Sequence, residues 1–286
     1  MQSMIDVLSF EFFQRAIWTA AVIGFANGFL SGYVVMKRSA LMVGSISHSL
    51  LPGIALAVIL TGLTAGTAFF GAMFSALFVG LAAVFVARTS RIDSHTALAV
   101  LYTAAFAGGL LLLDYAPSQS DLEHWLFGNI LALSNTDLWT SWIAAAVILI
   151  PLIIFSRPLL LLLFEPRIAE SQGVPVQKLN YLLTAVVIIG LVASIQAVGC
   201  ILAVAMLVAP AAAMMQFASS PTFLIWGSAV LGSVVSVAAV FIAFWLNLRV
   251  GASIVLLLGL VVFISYLFGS QYNALRSLLG KAPKAH

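Results

Sequence analysis

Charge is what this sequence has least of. Asp, Glu, Lys and Arg make up only 7% of its 286 residues, where soluble domains carry roughly 25%. A water-facing surface cannot be built from so few charges, so lipid is the solvent that suits most of it. Cysteine is nearly absent: Cys200 stands alone, which excludes an intramolecular disulfide and a thiolate metal cluster and leaves a small buried hydrophobe. A basic stripe is missing too. The Lys and Arg residues give a net charge of +3, but they sit in small groups between apolar runs. That is the pattern of membrane topology and not of a phosphate-binding face, so no nucleic-acid partner is expected. No GxxxxGK[ST] phosphate loop occurs, so any ATP that drives this protein must be bound by another chain. There is no cleavable secretory signal: residues 1–11 hold Asp6 and Glu11 and no Lys or Arg, so the first apolar run is expected to be retained.

What is abundant is hydrophobic length. A helix needs about 20 apolar residues to cross a bilayer, and only helices or closed barrels satisfy their backbone there. Uncharged runs cover residues 16–36, 39–63, 64–87, 96–113, 138–156 and 250–269, with one long stretch from Leu179 to Leu248. None alternates like a strand, so helices are expected. The long stretch has room for three crossings, with breaks at Gln196 to Gly199 and at Ala218 to Thr222. The expected fold is therefore all-α: one polytopic transmembrane domain over residues 1–286 with nine helices, or eight if that stretch crosses only twice. Charge favours nine. With Lys37 and Arg38 placed in the cytoplasm, alternation brings in Arg88, Arg91, Arg157, Arg167, Lys178, Arg276, Lys281 and Lys284 and leaves only Arg15 and Arg249 outside, as the positive-inside rule prefers. Asp6, Glu11, Asp114, Asp121, Glu123 and Asp137 then all fall outside. Two connections exceed a turn: an external one at 114–137, whose apolar piece Trp125–Leu131 is too short to cross, and a cytoplasmic one at 157–178.

The cytoplasmic connection contains a short helix signal. Glu165 suits the positive helix end, Pro166 fits the first helical position and Gly173 fits the stop. With Ile168 and Ala169 on it, such a helix suits a groove on a cytoplasmic protein; an interfacial helix lying on lipid headgroups would look the same.

Four segments, taken in order, carry a family likeness. They are Arg38–Met42 with Ser47-His48-Ser49-Leu50-Leu51-Pro52-Gly53; Thr96-Ala97-Leu98 through Phe106-Ala107-Gly108-Gly109; Leu126–Leu131; and the Glu165–Pro175 loop with Val198–Leu202 and Leu207–Ala213. On these the chain resembles the zinc/manganese/iron permeases of ATP-binding-cassette importers. The resemblance implies a permease paired with itself or a similar chain, two cytoplasmic ATPase subunits that hold ATP and Mg, and an extracytoplasmic metal-binding protein. It also implies a divalent metal ion as substrate, no cofactor or catalysis on this chain, and a place in the bacterial inner membrane. Glu165, Pro166, Ile168, Ala169 and Gly173 would form the coupling helix that seats in the ATPase. Two positions depart from the family pattern. Gly44 stands where an Asp often lies four residues before the Ser-His histidine, and Asn247-Leu248-Arg249-Val250-Gly251 stands where Asp-Leu-Pro-Thr-Gly is usual. Both changes remove a carboxylate.

Single polar residues mark the candidate sites. His48 is the one histidine within an expected span. It reads either as a transient metal ligand in the pathway or as a neutral imidazole bonded to a neighbour through Ser45 or Ser47. Asp121, Glu123 and His124 lie together outside, as a metal-holding or binding-protein-docking trio or as solvated loop charges. Asn27 and Gln196 are expected to hydrogen-bond between helices. The expected mechanism is alternating access driven through Glu165–Gly173. Its main rival is an ion-gradient-driven secondary transporter of a small solute, which would be expected to keep an ionisable group at mid-membrane.

Overall fold

The computed structural model describes residues 10–62, 64–91, 93–113, 135–198 and 200–268. Among the described residues every regular element is helical. In chain order they are α1 (Glu11–Met36), α2 (Ala40–His48), α3 (Leu51–Thr61), α4 (Ala65–Thr89), α5 (Ser94–Leu113), α6 (Asn135–Ile154), α7 (Ser156–Phe164), α8 (Pro166–Ser171), α9 (Val176–Val198), α10 (Cys200–Met206), α11 (Ala209–Met214), α12 (Pro221–Trp245) and α13 (Val250–Phe268).

Helix boundaries follow local chemistry. α1 begins before its uncharged run because Glu11 and Arg15, one turn apart, pair at 2.7 Å, as i,i+4 partners do. Thr64 and Thr67 cap α4 reciprocally, and Asp93 caps α5 by accepting from the amides of His95 and Thr96. The Ser220 hydroxyl accepts from the amide of Phe223, with Pro221 in the first turn of α12. α1 ends in a Schellman turn: Arg38, at φ 56°, donates to the Val35 carbonyl, and Ser39 donates to that of Val34. Asn247, at φ 51°, closes α12 in the same way.

Among the described residues, seven helices are long and apolar enough to cross a membrane, or eight with the bent pair α6–α7 taken as one. The expectation of nine is thus one too high by length. The piece that falls short is Ala203–Met214, which is split between α10 and α11. Its direction still follows the expected path. α1 and α12 are antiparallel, since Gly24 faces Gly232, Gly28 faces Ser228 and Gly32 faces Ile225. α9 is also antiparallel to α1, with Asn180 beside Lys37 and Ser194 beside Asn27. α9 and α12 therefore both start at the Lys37 end, and α10–α11 is the leg that brings the chain back. Two further expectations shift. Run 39–63 is broken at Ser49–Leu50 into α2 and α3, and the expected loop after residue 156 begins instead as α7, bent by 69° from α6. Lys37, Arg38, Arg88, Arg91, Arg157, Arg167 and Lys178 gather at one end of the bundle, with Arg15 and Arg249 at the other.

Between helices in lipid there is no hydrophobic force to speak of, and association rests on close packing and polar links. The α1–α12 seam shows both. A methyl on Gly24 would lie 2.7 Å from the Gly232 carbonyl oxygen, so the two backbones touch. Phe13 packs edge-on against Phe241 at 5.2 Å at the far end of the seam. Gly53 of α3 and Gly71 of α4 make a second backbone-close crossing. Asn27, fully buried, donates to Ser194 of α9 as expected, and its Oδ1 borders a cavity of about 10 Å³ between α1, α6 and α9. On the outside, Phe70, Phe74 and Phe78 are 72%, 75% and 68% exposed along one face of α4, a surface only lipid or another apolar chain would cover.

Gly28→Ala drives a methyl into the Ser228 carbonyl. It is expected to lower the thermal midpoint of the detergent-purified chain by about 5 °C, as overpacking does. Gly44→Ala, which meets open space, is expected not to lower it.

Candidate functional site

The short helix expected between residues 165 and 173 forms where the sequence places it. α8 spans Pro166–Ser171 with Glu165 as the residue before it and Pro166 in the first turn. Gly173, at φ 76°, ends it: its amide donates to the Glu170 carbonyl and that of Val174 to Ala169, the Schellman geometry that only glycine adopts without strain. The helix is anchored and presented at once. Ala169 is completely buried, and Val174 packs on the main core. Ile168 is 45% exposed on the opposite side, and Glu165, Pro166, Arg167 and Glu170 are exposed around it. A small side chain at 169 lets the helix lie flat on the bundle, and the isoleucine beside it stays exposed.

His48 is the last residue of α2, at the break before α3. Pro52 sits in the first turn of α3, so the amide it lacks is one that a helix start leaves unpaired anyway. His48 is exposed on the bundle surface, with its ring 5.6 Å from Phe106 and 6.3 Å from Tyr102 of α5. The Ser47 hydroxyl donates to the Gly44 carbonyl at 2.6 Å. Gly44 lies one turn before His48, and a side chain there would meet nothing within 4 Å. Four residues apart on α2, the two positions share a helix face. Among the described residues no group of three His, Cys, Asp or Glu side chains could hold a metal ion. Asp121, Glu123 and His124 lie outside the described residues, as does Trp125–Leu131.

Sequence reasoning missed Lys37 as anything but a topology marker. Its ammonium is drawn inward at the end of α1 and donates to Asn180 Oδ1 at 2.6 Å and, at the limit of a bond, to Thr184 Oγ1 at 3.5 Å. Both acceptors are on α9. No carboxylate pairs with it among the described residues, and burial pushes its pKa from 10.5 down to about 8, because the charged form is the one desolvation penalises. A hydrogen-bonding pair 143 residues apart leaves no local signal in sequence. Asp93, by contrast, is fully exposed, and its carboxyl is held below the ordinary range by the Thr96 hydroxyl and amide.

The chain is matched over residues 9–269 by the model of a family described as the ABC 3 transport family. The chain belongs to the ABC 3 transport family. It is similar to the manganese transport system membrane protein MntC of Halalkalibacterium halodurans, at 34% identity over 98% of this chain and 95% of that one. It is also similar to the manganese import system permease protein ScaB of Streptococcus parasanguinis, at 37% identity over 90% of each. Among solved structures it resembles PsaBC from Streptococcus pneumoniae, determined in complex with a Fab, with a TM-score of 0.81 and 36% identity over 95% of this chain and 98% of that one. This ABC 3 chain is a multi-pass, all-helical membrane permease.

Lys37 gives a pH signature. An amine whose folded-state pKa lies below its unfolded value leaves the unfolded chain the better proton binder between the two. Its penalty on stability is therefore full below about pH 8 and is lifted as pH rises towards 10.5. Relative to Lys37→Met, the wild-type chain is expected to gain thermal stability across that window and to show a constant offset below it, measured by thermal unfolding in detergent.

Proposed function

We propose that this chain is the membrane-spanning permease of an ATP-driven importer of a divalent metal ion, with manganese the first ion to test and zinc and iron next. One observation carries the reading: relatives similar over nearly the whole chain are named for manganese transport. ATP and its magnesium belong to a cytoplasmic ATPase-cassette partner, which seats on Glu165, Pro166, Ile168, Ala169 and Gly173. A metal-binding protein delivers the ion from outside, and Asp121, Glu123 and His124 are its docking residues. Two permease chains, identical or similar, form the path in the bacterial inner membrane. Closure of the ATPases moves α8, and the bundle switches from outward to inward opening.

His48 lines the path. A site for a passing ion must bind weakly enough to release, and one imidazole without a carboxylate at position 44 suits that need. The secondary-transporter alternative has less support, because the Asp and Glu of the described transmembrane helices are confined to first turns, Glu11 in α1 and Asp137 in α6, with none at mid-helix.

The test is reconstitution in lipid vesicles with the ATPase and the binding protein. ATP is expected to drive manganese uptake well above empty vesicles. Uptake driven by a proton or sodium gradient without ATP would favour the rival, and no ATP-dependent uptake of manganese, zinc or iron would overturn the reading. In the same vesicles His48→Ala is expected to cut uptake about tenfold. Gly44→Asp restores an i,i+4 carboxylate beside His48. It is expected to tighten metal binding about tenfold and to slow turnover, read by metal titration and by uptake rate.

A further inference from the structure

We propose that Lys37 is the positioning residue through which movement of the docking helix reaches the core of the permease. Three features of the fold converge on it.

The first is what lies on each side. α1 and α12 meet backbone to backbone along Gly24, Gly28 and Gly32, so they move as one body. α9 follows the docking helix α8 after only residues 172–175, and its second turn carries Asn180. Lys37 thus joins the α1–α12 body to the helix that answers first when α8 is displaced.

The second is the bond itself. Lys37 donates to Asn180 Oδ1 at 2.6 Å and to Thr184 Oγ1 at 3.5 Å, one helical turn apart on α9. Thr184 spends its own hydroxyl proton on the Asn180 carbonyl at 2.8 Å, which leaves its oxygen free to accept. Two acceptors stacked along α9 give a single ammonium two stations 5–6 Å apart, and the lysine stem is long and flexible enough to serve either. A slide of α9 by one turn would transfer the bond without breaking it.

The third is that this link stands apart. Among the described residues, the other side-chain bond between α1 and α9 is Asn27 to Ser194, buried far from α8. Lys37 is the link nearest the docking helix, and an ammonium held by neutral acceptors alone is retained at a desolvation cost.

The inference rests on the docking role proposed for α8. In the reconstituted complex, Lys37→Met is expected to lower ions imported per ATP hydrolysed about tenfold, a coupling loss of the usual allosteric size. Lys37→Arg, which keeps donors within reach of both acceptors, is expected to restore most of it. Asn180→Leu is expected to copy the loss, and the double variant to add nothing to either single one. Unchanged stoichiometry in Lys37→Met, or additive losses in the double variant, overturns the proposal. Should Lys37→Met not assemble, Asn180→Asp decides: a carboxylate partner tightens the latch, so turnover is expected to slow about tenfold, and unchanged turnover counts against it. If the wild-type complex moves no ion, the transport reading fails separately. The latch is then judged on the purified chain, where Lys37→Arg is expected to keep, and Asn180→Leu to raise about tenfold, amide exchange in residues 180–184. Equal exchange in the two variants overturns it.

Discussion

Lipid offers a backbone amide no partner, and that constraint governs this molecule at every level. Each crossing has to satisfy its own main chain, so every regular element described is a helix. Helices in lipid gain little by hiding hydrophobic side chains from one another, so cohesion comes from proximity. Glycines are therefore concentrated where two backbones touch: Gly24, Gly28 and Gly32 against α12, and Gly53 against Gly71. Part of the large apolar surface goes the other way. Phe70, Phe74, Phe78 and Phe85 of α4 point outward, where in a soluble protein they would fill the core.

The breaks in the helices are the places where this economy is relaxed, and they coincide with the candidate functional positions. His48 ends α2 at a break before Pro52. α6 and α7 meet at a sharp bend just ahead of α8. The return leg is divided between α10 and α11, with Val208 between them in a non-helical conformation. A continuous helix transmits displacement along its axis, whereas a broken one lets its halves move separately. A transport path that has to open at one end while closing at the other needs such joints.

Much of this was legible before any coordinate was known. Uncharged runs marked the spans because a charge at membrane depth is costly, and the positions of basic residues assigned the ends. Gly173 and Pro166 announced α8 by their backbone preferences alone. Two kinds of feature were hidden. Helix breaks such as Ser49–Leu50 leave hydropathy unchanged, so an apolar run looks continuous across them, and the same holds for the division at Val208. Long-range polar contacts were hidden as well. Lys37 reads as one more cytoplasmic charge until Asn180 and Thr184 are found beside it. The Ser47 hydroxyl, which with Ser45 was one of two candidates to hold the histidine, donates to its own helix, the local competition serines commonly win.

The Schellman turns at Arg38, Gly173 and Asn247 have one more implication. Each turns the amides of two residues just past its helix back onto carbonyls of the last turn, so those carbonyls need no partner from another helix. A rod sealed in this manner can tilt or glide past its neighbours without stranding a peptide dipole in oil. Conformational cycling at those ends then costs side-chain contacts alone, and such contacts can be remade within a turn.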